Sequence, residues 1–310
     1  MKALLLLLLP LGCFSQIPQG YYDSAVGLTG DSLKTQLYQI IKDHTEFPYT
    51  SSATDVWDIL KDTDKDTLNA NNVILLYSGW SVDADQEYNN GNGWNREHVW
   101  AKSHGDFGTA IGPGTDVHAL RPCDISVNSA RSNRWFAECS TEYIDSDGAT
   151  GSYSSSSEWV WKPREEVKGD VARMIFYMAT RYEGENGEPD LQVIDYIPSN
   201  NNSTLPYHAR LYDLLQWHLD DPVSDWEVNR NDIIYYGYQN NRNPFIDHPE
   251  FVTQIWTSSL SVEEISIEEA NTPELVKVVD LNGKESEIVT NEVLLLIYSD
   301  GSVKKVMITE

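Results

Sequence analysis

The 310-residue sequence predicts an α+β fold. A strand–loop–strand–helix unit is expected inside a mostly helical domain, with a small antiparallel β unit at the C-terminus. Three observations predict it. Trp94–Ala101 and Asp116–Leu120 read as strands on either side of a glycine-rich loop, and a helix follows near Val127. Apolar residues recur at helical spacing after Asp31 and after Val167. Near the C-terminus, apolar runs are separated by Asn282-Gly283 and Asp300-Gly301, pairs that favour tight hairpins.

Taken in order, residues 1–16 read as a signal peptide: Lys2, then the apolar run Ala3–Leu9, then small residues. That run is too short to span a bilayer, and no later stretch is apolar for long enough, so no stable membrane insertion is expected. A domain over residues 17–258 follows. Asp31 is placed to cap a helix that ends near His44, with Leu33, Leu37, Ile40 and Ile41 on one face. Ser52–Lys61 reads as a short helix. Asp62–Asp66 invites a calcium reading, but Thr67 and Val73 stand where an EF-hand loop needs glycine and glutamate, so a polar turn is expected. Val73–Tyr77 reads as a buried strand and Asp83–Gly93 as a polar loop.

The second strand of the central unit is expected to stop before Pro122, with Asp124 or Ser126 capping the helix. Asp145–Ser157 reads as a flexible surface loop. Val167–Tyr182 reads as an amphipathic helix with Arg173 and Arg181 facing solvent. Leu205–Leu219 and Ser224–Gln239 read as helices, the latter with Trp226 and Ile233 inward. Within Asn240–Pro249, Arg242, Asp247 and His248 are expected to form a structural hydrogen-bond network. Residues 259–273 form an acidic linker, and residues 274–310 form the β unit.

The net charge of −26 is unlike the basic patch that marks most phosphate binders. Between Trp94 and Phe136 the excess disappears: Arg96, Lys102, Arg121, Arg131 and Arg134 face Glu97, Asp106, Asp116 and Asp124. With the signal removed, Cys123 and Cys139 remain. They either form one disulfide in an oxidising compartment or stay as two buried thiols.

This central stretch has the residue types that phosphodiester hydrolysis needs. Histidine titrates near neutrality and suits a base that activates water; His98 is the candidate. Asparagine and carboxylate oxygens, here Asn128 and Glu97, suit a hard cation such as Mg2+, with Mn2+ or Ca2+ as alternatives. Arginine offers forked donors to phosphate. His104 reads equally well as a substrate contact or a surface residue, and His118 as structural. A zinc site from His98, His104, His118 and Cys123 matches no compact spacing.

Three motifs occur in order: Trp94-Asn-Arg-Glu-His-Val-Trp100, Asp116-Val-His-Ala-Leu-Arg-Pro122 and Val127-Asn-Ser-Ala-Arg-Ser-Asn133. Together they resemble the bacterial endonuclease I family, secreted or periplasmic nucleases of the His-Me finger (ββα-metal) class. The resemblance extends over roughly Ile17 to Ser258 and includes Asn240–Pro249. It implies His98 as general base, Asn128 and Glu97 as ligands of one metal ion, and products with 5′-phosphate and 3′-hydroxyl ends. Glu97 neighbours His98, so a straight strand would turn the two to opposite faces. Arg131, one helical turn beyond Asn128, is taken as the cation for the leaving group, with Arg96, Lys102, Arg121 and Arg134 as substrate contacts. DNA and RNA are the expected substrates, for a monomeric, secreted or cell-surface enzyme. The tail, with Val278-Val-Asp-Leu-Asn-Gly-Lys284, resembles a type IX secretion sorting domain; a plain β cap is the alternative.

Two rival functions follow from the same residues. Ten Trp and 17 Tyr would suit a secreted glycan-binding protein, although aromatics more often fill cores. A metal phosphodiesterase acting on small substrates would use the same site chemistry.

Overall fold

The computed structural model describes residues 17–201, 204–257, 275–281, 284–289, 292–298 and 303–307. It divides into two units, Met1–Thr257 and Ser258–Glu310. The expected signal peptide and acidic linker lie outside the described residues.

In the first unit, α1 (Gly30–Ile41) buries Leu33, Leu37, Tyr38 and Ile41. Thr29, not Asp31, holds its N-cap position, and Asp31 lies in the first turn, where its charge meets the positive end of the helix dipole. Helix α2 (Val56–Thr63) starts at a reciprocal capping box between Asp55 and Asp58 and buries Val56, Ile59 and Leu60. The predicted strand at Val73–Tyr77 is shorter and earlier: β1 (Asn72–Ile74) pairs antiparallel with β2 (Ser81–Asp83). Asp66 binds Ser81 and the Leu68 amide, so its loop is a polar turn.

The central unit is β3 (Trp94–His98), paired antiparallel with β4 (Leu120–Asp124) and followed at once by α3 (Ile125–Arg131). The second strand therefore begins where the sequence reading ended it. Asp116 holds the earlier residues in a turn, accepting hydrogen bonds from Tyr177, Tyr182 and Gln239. Pro122 is tolerated because both strands of a two-stranded ribbon are edges, and its carbonyl accepts from the Leu76 amide at 2.9 Å. Asp124 caps α3 by accepting from the Ser126 and Val127 amides. Beneath the ribbon lie Trp94, Val117 and Leu120, packed with Val56, Ile59, Leu60, Leu75 and Ile234.

A four-stranded sheet follows, in the order β5 (Trp135–Phe136), β8 (Val160–Lys162), β7 (Gly148–Ser155), β6 (Glu142–Asp145). The expected flexible loop at Asp145–Ser157 is thus mostly a hairpin strand. Its hydroxyls find partners: Ser152 donates to the Tyr77 carbonyl and Thr150 to the Tyr143 carbonyl, each at 2.7 Å. Asp147-Gly148 is itself a hairpin pair, obscured by the serine-rich composition around it.

Helix α4 (Lys168–Arg181) is buried on all sides. Arg173 and Arg181, expected at the surface, are buried against Glu227 and Glu188 at 2.6 and 2.9 Å. Then β9 (Gln192–Ile194) pairs parallel with β10 (Tyr207–Ala209), and α5 (Leu211–Asp220) packs on α4. Helix α6 (Asp225–Ile233) runs into a π-helical turn, Ile234–Gln239, in which Ile234 takes the buried place expected of Ile233, while Trp226 is half-buried. Next come α7 (Pro244–Asp247) and α8 (Glu250–Trp256). Arg242 pairs with Asp247 at 2.6 Å, and His248 lies 3.1 Å from Glu250. The second unit is an antiparallel sheet of β11 (Leu275–Val279), β12 (Val293–Tyr298) and β13 (Val303–Met307), with β12 central. The fold is α+β, with helices and several small sheets.

Candidate active site

Strand β3, its exit loop and helix α3 border one cleft of about 770 Å³. Of the residues singled out from sequence, Arg96, Glu97, His98, Lys102, Asn128 and Arg131 line it. Glu97 and His98 both reach the cleft although they are neighbours, because β3 ends at His98 and the chain leaves the pleat there.

The surroundings of His98 decide its proton inventory. Its Nε2 lies 3.0 Å from the Gly114 carbonyl oxygen. A carbonyl only accepts, so Nε2 carries the hydrogen and Nδ1 keeps its lone pair. Tyr49 stacks on the ring at 5.6 Å and 22°. Burial lowers the imidazole to about 4, against the pull of the Gly114 hydrogen bond and with help from Lys102, Arg96 and Arg131. The ring is neutral at neutral pH and ready to accept a proton at Nδ1. Gly114 can approach because it has no side chain: a Cβ there would meet the Gly108 and Ala110 oxygens at 2.7 and 2.8 Å.

Glu97 is buried, and its Oε1 accepts from Tyr77 Oη at 2.7 Å and lies 3.1 Å from Arg131 Nη1. Burial raises the carboxyl above its usual range, opposed by Arg131 and Tyr77. Among the described residues no donor is recorded on Oε2. Asn128 donates from Nδ2 to Asn95 Oδ1 at 2.8 Å, which leaves its own Oδ1 as an acceptor. One carboxylate and one amide oxygen form a hard, oxygen-only pair. No group of three His, Cys, Asp or Glu able to hold a metal occurs among the described residues. The pair fits an ion that keeps most of its waters, as Mg2+ does.

Arg131 is almost fully buried. Besides Glu97 it serves the His98 and Val99 carbonyls, at 3.2 and 2.7 Å, and lies 3.4 Å from His208 Nε2. Much of its guanidinium is spent on steadying Glu97 and the end of β3. Arg96 is clasped between the Tyr49 and Trp57 rings, at 3.4 and 4.1 Å, while Lys102 is exposed.

Two expectations are corrected, and the choice left open for the cysteines is decided. Arg121 does not reach the cleft; it is buried in ion pairs with Asp64 at 2.5 Å and Asp170 at 3.5 Å. Arg134 lies over the Trp159 ring at 4.0 Å and donates to the Ala130 carbonyl, outside the cleft lining. Cys123 and Cys139 are free thiols. Cys123 is enclosed near Glu97 and pushed well above the usual thiol range by burial. Cys139 packs on a separate cluster of Trp135, Ala137, Val160 and Ala209, its thiol raised to about 11 by burial.

Sequence reasoning missed Tyr49, Tyr77, Tyr88, Trp57 and Trp159, which border or brace the cleft from distant segments and carry no local signal. Asn95 did carry one, since it shares a strand face with Glu97. His118 is structural, bonded to the Asn241 carbonyl at 3.1 Å. His104 is buried and stacked on Trp135 at 3.9 Å, neither a surface residue nor a cleft contact. Trp94, Trp100, Trp135, Trp161 and Trp217 are fully buried and Trp256 is buried too, so six of the ten tryptophans serve the core.

Burial lowers other histidines too: His104 to about 3, His118 and His218 to about 4. Unfolded histidine titrates near 6.5, so between the two values the unfolded chain binds more protons and stability falls as pH falls. The melting temperature is expected to drop steadily from about pH 7 to about pH 4. Thermal scans across that range check this; a flat profile would contradict it.

A family profile described as Endonuclease I matches residues 29–250. The chain is 54% identical over 236 residues to a protein of Bacillus subtilis (strain 168) named extracellular ribonuclease, covering 76% of this chain and 78% of the relative. A protein of the same name from Bacillus amyloliquefaciens is 52% identical over the same lengths and shares. These matches, over the segment that builds the cleft, show that the chain belongs to the endonuclease I family and is a nuclease that hydrolyses phosphodiester bonds.

Proposed function

We propose that this is a secreted endonuclease that cuts RNA and DNA with little sequence preference, using His98 as general base at a ββα-metal finger. The observation that carries the reading is the Gly114 contact, which leaves the His98 Nδ1 lone pair free in a cleft shared with Glu97 and Asn128. The relatives named extracellular ribonuclease favour RNA and secretion; the His-Me motif favours DNA as well.

His98 takes a proton from the attacking water at Nδ1, while Nε2–H stays bound to Gly114 and keeps the ring aimed. Glu97 and Asn128 would hold the divalent ion, Mg2+ in the first instance, which when bound supplies charge stabilisation for the leaving 3′ oxygen. Tyr77 and Asn95 orient those two ligands. Arg131 fixes Glu97 and places positive charge beside the cleft. Lys102, exposed at the rim, meets phosphate. The C-terminal sheet is proposed as the type IX sorting module, read from its resemblance alone.

Incubation of the full chain with plasmid DNA and with RNA, with and without EDTA, tests the reading. Degradation in Mg2+ that stops with EDTA and yields 5′-phosphate ends is expected. Indifference to EDTA would remove the metal. A glycan binder would degrade nothing, and a small-substrate enzyme would prefer bis-p-nitrophenyl phosphate to either polymer.

A further inference from the structure

We propose that this cleft favours an unpaired strand over a duplex, holding it by its base faces on Tyr88 and Trp159. The proposal rests on the nuclease reading above and adds to it a preference for single-stranded nucleic acid.

Both rings line the cleft, and both residues hold left-handed backbone, φ 53° at Tyr88 and 58° at Trp159. That region is unfavourable for bulky side chains, and such strain collects at functional positions. Tyr88 is 62% exposed, and its ring has no recorded aromatic or cationic neighbour among the described residues. Trp159 is held differently. Its Nε1 donates to Asn133 Oδ1 at 2.8 Å, Arg134 covers one face of the ring at 4.0 Å, and the indole is half-buried. Asn133 and Arg134 come after Ser132, the C-cap of α3, the helix that carries Asn128. The indole is therefore anchored to the helix that presents the amide ligand, at a fixed place along the cleft.

The cations point the same way. Arg96 is enclosed by Tyr49 and Trp57, Arg131 is paired with Glu97, and Arg121 is buried elsewhere. Lys102 is the lining cation that carries no recorded partner among the described residues. With a net charge of −26, little phosphate neutralisation is on offer, and duplex binding without base contacts depends on it. Stacking on aromatic rings supplies affinity that needs no such charge, and every base has a face to stack. In a duplex those faces are already occupied by neighbouring pairs; in an unpaired strand they are open.

The test compares kcat/KM of the full chain on an oligonucleotide as single strand and as its own duplex, in RNA and in DNA. Single strands are expected to be favoured about tenfold or more, the scale of one lost base stack. Tyr88→Ala and Trp159→Ala should each raise KM for single strands about tenfold, with a smaller effect on kcat. Tyr88→Phe and Trp159→Phe should restore most of it, since a ring is kept. A single-strand preference in RNA alone would add a 2′-hydroxyl contact to the stacking; one in both would leave the base faces as the shared feature. Equal rates on strand and duplex, or a KM unmoved by Tyr88→Ala in an exposed loop, would overturn the proposal. Failure to cut any polymer would instead overturn the nuclease assignment.

Discussion

His98→Ala is expected to lower turnover on nucleic acid by at least about a hundredfold, the lower bound for loss of a positioned general base. No other cleft group can substitute easily. Of the described residues that line the cleft, Glu97 and His98 are the only carboxylate and imidazole, and Glu97 is already engaged by Tyr77 and Arg131. The side chain makes one recorded hydrogen bond, to Gly114, so the fold should survive its loss. Plasmid nicking and RNA degradation by the purified variant, with circular dichroism as a control for folding, measure the effect. A folded His98→Ala protein that works at the wild-type rate would place the base elsewhere.

Asp64→Ala is expected to cost about 3–5 kcal/mol of stability, the range for breaking a buried ion pair by removing one partner. Asp64 is fully buried and lies 2.5 Å from Arg121 Nε and 3.3 Å from Arg230 Nε. Its removal takes the shared carboxylate from two buried guanidinium groups. Arg230 would keep the Val117 and Leu120 carbonyls, while Arg121 would keep the Trp226 ring and Asp170 at 3.5 Å, and Asp170 is also 3.5 Å from Arg173. Urea unfolding measures the change. A shift below about 1 kcal/mol, the level of surface pairs, would mean that the cluster is solvated. The same cluster separates two readings of Arg121: as a substrate contact its loss would raise KM, whereas in this place its loss lowers stability.

The local parts of the site were legible in the sequence. His98, Glu97 and Asn128 fall within 31 positions of one another, and periodicity places them on a strand and on the helix after it. The strand boundary was not legible, because it depends on Asp116, whose partners Tyr177, Tyr182 and Gln239 come from distant segments. Charge was misread for a related reason. Composition counts Arg121, Arg134, Arg173 and Arg181 as available cations, but Arg121 and Arg173 are committed to Asp64 and Glu227 from distant segments, and Arg134 and Arg181 to the nearer Ala130 carbonyl and Glu188. Serine and glycine likewise suggested a loop at 145–157, because propensity does not register a hydroxyl that binds a carbonyl 75 residues away, as Ser152 does with Tyr77.

The Gly114 carbonyl has a consequence beyond its own hydrogen bond. On the proposed mechanism the choice of reactive ring nitrogen is made by main chain, so a substitution there can change it only by displacing the backbone that carries the carbonyl. The curl of the Gly108–Gly114 segment sets the aim. Bulk introduced at Gly114 should therefore act as a chemical lesion, turning the imidazole or exchanging its tautomer, in an enzyme whose reactive side chains are all still present.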